Sequence, residues 1–192
     1  MKPSHKYQAL LQQPGFLSDL AQLQAVELLD QLYAQLGSMQ PRRGWRSWLG
    51  GQVASQTVHG LYFWGGVGRG KTLLMDLFYQ SLPPELGCRR IHFHAFMNQV
   101  HAELRQKKNL EKPLQAVAGD IAANTRVLCL DEFVIIDIGD AMIMAGLLET
   151  LFAEGVVLVT TSNAAPGDLY RDGLQRARFL PAIDSIQQHC QV

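Results

Sequence analysis

The stretch L-Y-F-W-G-G-V-G-R-G-K-T, Leu61 to Thr72, decides the fold of this chain. Its last eight residues match G-x-x-x-x-G-K-[ST], the pattern of a phosphate-binding P-loop. Glycines without a Cβ let the loop backbone turn tightly and point its N–H groups at an anion. The predicted nucleotide-binding residues are Gly65, Gly66, Val67, Gly68, Arg69, Gly70, Lys71 and Thr72.

The residues on either side of the loop support this interpretation. Leu61 to Trp64 read as a short apolar strand, and Lys71 to Gln80 place apolar side chains on one helical face. The positive end of that helix adds to an anion site. In such a site Lys71 would contact the β- and γ-phosphates, and the Thr72 hydroxyl would hold Mg²⁺. ATP and Mg²⁺ are therefore the expected ligands.

Two carboxylates follow a second buried strand. Val127 to Leu130 is a continuous apolar run that ends in Asp131 and Glu132. In an open parallel sheet, ligands bind at the carboxyl ends of the strands. Asp131 would orient the Mg²⁺ ion, and Glu132 would polarise the water that attacks the γ-phosphate. A base directed at water predicts hydrolysis rather than transfer to an acceptor.

A third strand supplies a further polar candidate at this edge. Val156 to Thr160 predict the next buried strand, and Asn163 follows it within T-T-S-N. A carboxamide there could position the attacking water and sense the γ-phosphate. An asparagine that only forms a turn remains the alternative.

The rest of the chain indicates an α/β fold with a parallel sheet. Met1 to Gly15 is polar and predicts a loosely held end, followed by an amphipathic helix from Leu20 to near Gly37. Pro166 to Asp168 predict the start of a final helix that carries Arg176 and Arg178.

Seventeen basic and seventeen acidic residues give no net charge, so the overall charge does not favour binding to nucleic acid or to an anionic membrane. No apolar run approaches the ~20 residues of a membrane span.

One linker leaves two interpretations open. Pro41 to Gln52 mixes Arg42, Arg43 and Arg46 with two tryptophans, Trp45 and Trp48. Such a cluster can grip single-stranded nucleic acid or a membrane surface. The alternative is a surface linker whose tryptophans dock on the domain.

These motifs together resemble one family. G-G-V-G-R-G-K-T, L-D-E-F, T-S-N and L-Y-R-D-G-L-Q-R-A-R-F-L-P-A-I are similar to segments of the ZapE-type AAA+ ATPases, from bacteria and mitochondria. The likeness runs from about Gln22 to the end of the chain. It implies a sheet of order 5-1-4-3-2 with Lys71 and Thr72 as Walker A and Asp131 and Glu132 as Walker B. It implies that Asn163 is sensor 1 and that Arg176 is the arginine finger, with Arg178 as the alternative finger.

The resemblance also carries expectations about the whole protein. It implies self-association, a cytoplasmic location at the division site or beside the inner membrane, and ATP-driven loosening of FtsZ filaments. It implies that this chain is an N-terminal fragment, with residues 1–52 a helical segment and linker and 53–192 an AAA+ core truncated before the lid, with most of strand five missing. Two alternatives remain: an ATPase that acts on nucleic acid, as helicase loaders do, and a nucleotide-gated binding module with negligible turnover.

Overall fold

The computed structural model describes residues 1–16, 19–38 and 58–192. The Arg- and Trp-containing cluster at 41–52 lies outside these ranges. The described elements, in chain order, are α1 (Pro3–Leu11), α2 (Leu20–Ser38), β1 (Gly60–Trp64), α3 (Lys71–Tyr79), β2 (Cys88–His92), α4 (Phe93–Gln106), α5 (Pro113–Asn124), β3 (Val127–Asp131), α6 (Ile138–Ala153), β4 (Val157–Ser162), α7 (Leu180–His189) and β5 (Cys190–Gln191).

The strands form one parallel sheet of order β2-β3-β4-β1-β5. The predicted α/β class and the strand order 5-1-4-3-2 are confirmed. β5 covers two residues, which pair with Gly60 and Leu61 of β1. β3 and β4 are buried along their whole length, which explains their unbroken apolar sequence.

Helices cover both faces of the sheet. Alternate strand residues point to opposite faces. One face, with Leu128, Leu130 and Leu158, packs with α4, α5, α6 and α7. The other face, with Val127, Cys129 and Val159, packs with α1, α2 and α3. The N-terminal helices therefore share a core with the P-loop helix α3.

The amino-terminal expectation was wrong. The first residues form a helix, α1, instead of a loosely held end, and the Tyr7 ring is only 1% exposed. Ser4 donates hydrogen bonds from its backbone N–H and its hydroxyl to the Asp30 carboxylate on α2, at 2.9 and 2.6 Å. Pro3 and Tyr7 are its buried residues, so few apolar positions mark this helix in an otherwise polar segment.

The predicted helix beginning at Pro166 was also wrong. Pro166–Asp168 and Arg176–Arg178 form separate 3₁₀ turns, and the regular helix α7 starts only at Leu180. Between the two turns, Tyr170 and Gln175 adopt positive φ angles of 53° and 55°, which no α-helix accommodates. Proline near the start of α7 suits its first turn.

β1 and β4 approach each other closely at the start of β1. A Cβ on Gly60 would lie 1.8 Å from the carbonyl oxygen of Leu158. Glycine at this position therefore permits the strand pairing that leads into the P-loop.

In the part of the chain that the structure describes, no helix has both the length and the apolar character to cross a bilayer.

Candidate nucleotide-binding site

The P-loop leaves β1 and enters α3 through a series of special backbone angles. Gly65, Gly68 and Gly70 have φ angles of 146°, 78° and 83°, which favour glycine over every residue with a side chain. The loop is pinned at its start, where the Gly65 N–H donates to the Ser162 carbonyl of β4 at 3.3 Å. Gly70 is the N-cap of α3, so the positive end of that helix opens at the loop.

Lys71 is folded back across the loop. Its ammonium donates to the carbonyl oxygens of Gly65 at 2.5 Å and Gly66 at 2.8 Å, and to Oδ1 of Asn163 at 3.1 Å. Burial lowers the pKa of Lys71, and the carboxylate of Glu132 acts in the opposite direction and raises it. The structure therefore brings Lys71, Asn163 and Glu132 into one electrostatic cluster.

Glu132 lies at the carboxyl end of β3 in a left-handed backbone conformation, with φ 57°. Its backbone N–H donates to the Thr161 hydroxyl of β4 at 3.0 Å. The next residue, Phe133, donates its N–H to the Thr161 carbonyl at 2.7 Å and accepts from the Ser162 hydroxyl at 2.7 Å. These bonds fix the backbone of Glu132 relative to β4, the strand that Asn163 follows directly, and the Glu132 side chain is exposed to solvent.

Asp131 is held by a residue that the sequence analysis did not identify. Its carboxylate, 7% exposed, accepts from Nε of Arg90 on β2 at 2.7 Å. Arg90 also pairs with Asp76 on α3. Burial disfavours the charged Arg90, but the hydrogen bonds that Arg90 donates to Asp131 and Asp76 outweigh it, and the pKa of Arg90 is raised. A charged residue inside a strand was the available signal, since such a residue needs a partner.

The arginine-finger candidates lie on the 3₁₀ turn before α7. Arg176 is half-buried, and its Nη2 donates to the Gly167 carbonyl at 2.6 Å. Its Nε is buried and, among the described residues, has no hydrogen-bond partner. Arg178 is exposed. The structure does not bring Arg176 into contact with Lys71, Glu132 or Asn163 in any hydrogen bond that it records.

An open cavity of about 550 Å³ adjoins the predicted catalytic residues. Glu132, Asn163 and the segment 168–173 are among the residues that line it. Val134 and Ile136, on the loop after Glu132, border the cavity and are 50% and 81% exposed. The water-activating candidate thus faces an accessible space with an apolar rim.

The geometry can be compared with the two predicted ligands, the polyphosphate of ATP and Mg²⁺. A Cβ added at Gly65, Gly66 or Gly68 would meet no atom of the described residues within 4 Å, so there is space next to the loop backbone. Together with the α3 N-terminus and Lys71, this suits a polyphosphate. Thr72 is exposed at the second residue of α3. Because the Asp131 carboxylate is already paired with Arg90, it fits an ion held through water better than one bound directly.

A family match accompanies this geometry. The profile of the AFG1-like ATPase family matches residues 1–192. The chain belongs to the AFG1-like ATPase family. It is 48% identical over 200 residues to the cell division protein ZapE of Escherichia coli K12, which covers 99% of this chain and 53% of that protein. Lactation elevated protein 1 homolog B of Danio rerio is 44% identical over 144 residues, covering 69% of this chain and 28% of that protein.

Solved structures share the fold at low sequence identity. The DnaC helicase loader aligns with a TM-score of 0.61 and 14% identity, over 92% of this chain and 90% of that chain. DnaA of Aquifex aeolicus, bound to AMPPCP, aligns with a TM-score of 0.58 and 15% identity, over 92% of this chain and 47% of that chain. These likenesses establish the P-loop fold. The chain spans about half the length of the curated E. coli relative.

Proposed function

We propose that this chain carries the MgATP-binding and hydrolysing core of an AAA+ ATPase. The observation that supports this most is the cluster in which Lys71 bridges the P-loop carbonyls and Asn163 beside Glu132. Residues 53–192 would form the nucleotide-binding core, with residues 1–52 as a helical segment and linker in front of it.

In the proposed mechanism Lys71 exchanges its loop carbonyls for the β- and γ-phosphates when ATP enters. A bound Mg²⁺ would neutralise phosphate charge, held by Thr72 and, through water, by Asp131. Glu132 would take the proton of the attacking water, and Asn163 would orient that water. Because Thr161 and Ser162 join the Glu132 segment to the Asn163 strand, both groups would keep a fixed separation during the reaction.

We further propose that the whole protein acts in cell division, at the division site in the cytoplasm or beside the inner membrane, and loosens FtsZ filaments. The support is the E. coli relative, whose name describes a cell division protein. Self-association fits the exposed apolar residues Val134 and Ile136 at the rim of the site. Sedimentation of FtsZ filaments with the protein and ATP tests the client, and filaments unchanged by ATP turnover would contradict it.

Replacement of the P-loop lysine tests nucleotide binding. Lys71→Ala removes a charged donor to phosphate, which contributes about 1.5–3 kcal/mol, so MgATP affinity should fall roughly 10- to 100-fold. Calorimetric titration measures this change. Lys108→Ala serves as the control, because it removes an exposed lysine from the loop after α4. Equal ATP affinity in wild type and Lys71→Ala would refute the assignment of the P-loop.

Replacement of the proposed base tests hydrolysis. Glu132→Gln keeps the shape of the side chain but cannot take a proton, so phosphate release should fall by roughly 10²–10⁴-fold while ATP still binds. Single-turnover phosphate release is the measurement. Wild-type protein that binds ATP and releases no phosphate would instead favour the nucleotide-gated binding module. Normal release by Glu132→Gln would exclude Glu132 as the base.

A further inference from the structure

The first turn of α2 lies against the P-loop. Nε2 of Gln22 donates to the Arg69 carbonyl oxygen at 3.2 Å. The same nitrogen lies 2.5 Å from the position that a Cβ on Gly70 would occupy. The carboxamide therefore touches the end of the loop, next to the residue that caps α3.

The Arg69 carbonyl sets the orientation of this carboxamide, and the Tyr7 hydroxyl holds its other end. A backbone carbonyl can only accept, so the NH₂ group of Gln22 must face Arg69. On the other side, Oε1 accepts from the Tyr7 hydroxyl at 3.0 Å. Tyr7 is itself held, because its ring is buried and packs edge-on against Phe16. A rotation of the amide by 180° would lose the hydrogen bond to Arg69, because two oxygen acceptors would then face each other.

The fixed amide keeps unused hydrogen-bonding capacity. A carboxamide has two N–H donors and two acceptor lone pairs, and the recorded contacts use one of each. Counting only partners in residues 1–16, 19–38 and 58–192, one donor and one acceptor of this half-buried residue remain for a ligand beside the loop. Adenine offers the complementary pair, an N6 amino donor and an N7 acceptor, which glutamine can bind in a bidentate manner. Guanine offers two acceptors, O6 and N7, so its O6 would oppose Oε1.

We propose that Gln22 binds the adenine base of a nucleotide held by the P-loop and selects ATP over GTP. Tyr7 and the Arg69 carbonyl act as positioning groups, because they hold the amide in the orientation that accepts from N6 and donates to N7. This inference rests on the proposed nucleotide site and adds to it the choice of base. It also gives the helices α1 and α2 a part in substrate recognition.

Titration of the chain with Mg²⁺ complexes of ATP, GTP and 7-deaza-ATP tests the proposal. 7-Deaza-ATP lacks the N7 acceptor and keeps the N6 amino group, so it probes one contact without any mutation. The wild type should bind ATP roughly tenfold or more tightly than GTP, as expected for one or two hydrogen bonds, and 7-deaza-ATP more weakly than ATP. Gln22→Ala should lose roughly tenfold in ATP affinity, keep its GTP affinity, and no longer distinguish ATP from 7-deaza-ATP.

Gln24→Ala, an exposed glutamine on the same helix, is the matched control and should bind all three as the wild type does. Equal losses of ATP and GTP affinity in Gln22→Ala would overturn base recognition, because Gln22 would then only support the loop. Unchanged binding in Gln22→Ala would overturn it as well. A wild type that binds no nucleotide would refute the P-loop proposal itself, a result distinct from the other two.

Discussion

At the scale of single residues, the site depends on charges that lie inside the fold. Arg90 joins two carboxylates from different elements, Asp131 at the end of β3 and Asp76 on α3. Because Asp131 is nearly inaccessible to solvent, its charge relies on this partner more than Asp76 does. Arg90 therefore contributes to the stability of the sheet edge as well as to the position of a proposed Mg²⁺ residue.

Arg90→Ala should destabilise the chain markedly. Removing one partner of a buried pair costs about 3–5 kcal/mol, and the partial exposure of Arg90 favours the lower end. Denaturant unfolding followed by circular dichroism gives the value. Asp76→Asn is the control, since Asp76 is 43% exposed and such pairs contribute only ~0–1 kcal/mol. If Arg90→Ala lowers the free energy of unfolding by no more than Asp76→Asn does, this account is contradicted.

At the scale of elements, the strand before the P-loop depends on close contact with its neighbour. Gly60→Ala would force a methyl group into the carbonyl of Leu158, so β1 should separate from β4 at its start. We expect a loss of about 1–3 kcal/mol in the free energy of unfolding, as for other overpacked sites. Gly37→Ala provides the opposite case, because no atom of the described residues lies within 4 Å of the added methyl group in α2. That variant should gain ~0.4–1 kcal/mol. Equal effects in both variants would contradict the packing argument.

The elements also show why part of the fold could be predicted from the sequence. A P-loop is a local pattern, and an unbroken apolar run predicts strand β3. Lys71 and Asp131 could therefore be proposed as site residues from the sequence alone. The Gln22–Arg69 and Arg90–Asp131 contacts join residues 47 and 41 positions apart, and no local pattern encodes them. The composition after Pro166 favours a helix that the structure does not contain. The positive φ angles at Tyr170 and Gln175 prevent it, and they depend on packing that composition does not reveal.

At the scale of the whole molecule, Arg176 is the candidate that one copy would supply to another. Guanidinium is always charged and offers a planar set of donors to phosphate oxygens. The Nη2 of Arg176 is bound to Gly167, whereas its buried Nε has no hydrogen-bond partner in the part of the chain that the structure describes. An arginine supplied in trans accelerates P-loop hydrolysis by ~10³–10⁵-fold.

Mixing two inactive variants tests this arrangement. Arg176→Ala copies keep the base, and Glu132→Gln copies keep the arginine, so a mixed interface can combine an intact Glu132 with an intact Arg176. Phosphate release should then partly recover, with native mass spectrometry confirming mixed assemblies. Arg178→Ala, mixed in the same way, tests the competing finger. If mixed assemblies form without recovered hydrolysis, Arg176 is not supplied in trans.

The left-handed backbone at Glu132 has a consequence for how this protein can be altered. A residue with a side chain loses about 1–2 kcal/mol in that conformation, whereas glycine does not. Thermal stability therefore favours glycine at position 132, and the proposed chemistry requires a carboxylate. We expect a laboratory selection for heat resistance alone to replace this glutamate early. The selected protein would be more thermostable and keep its P-loop, but it would no longer hydrolyse ATP.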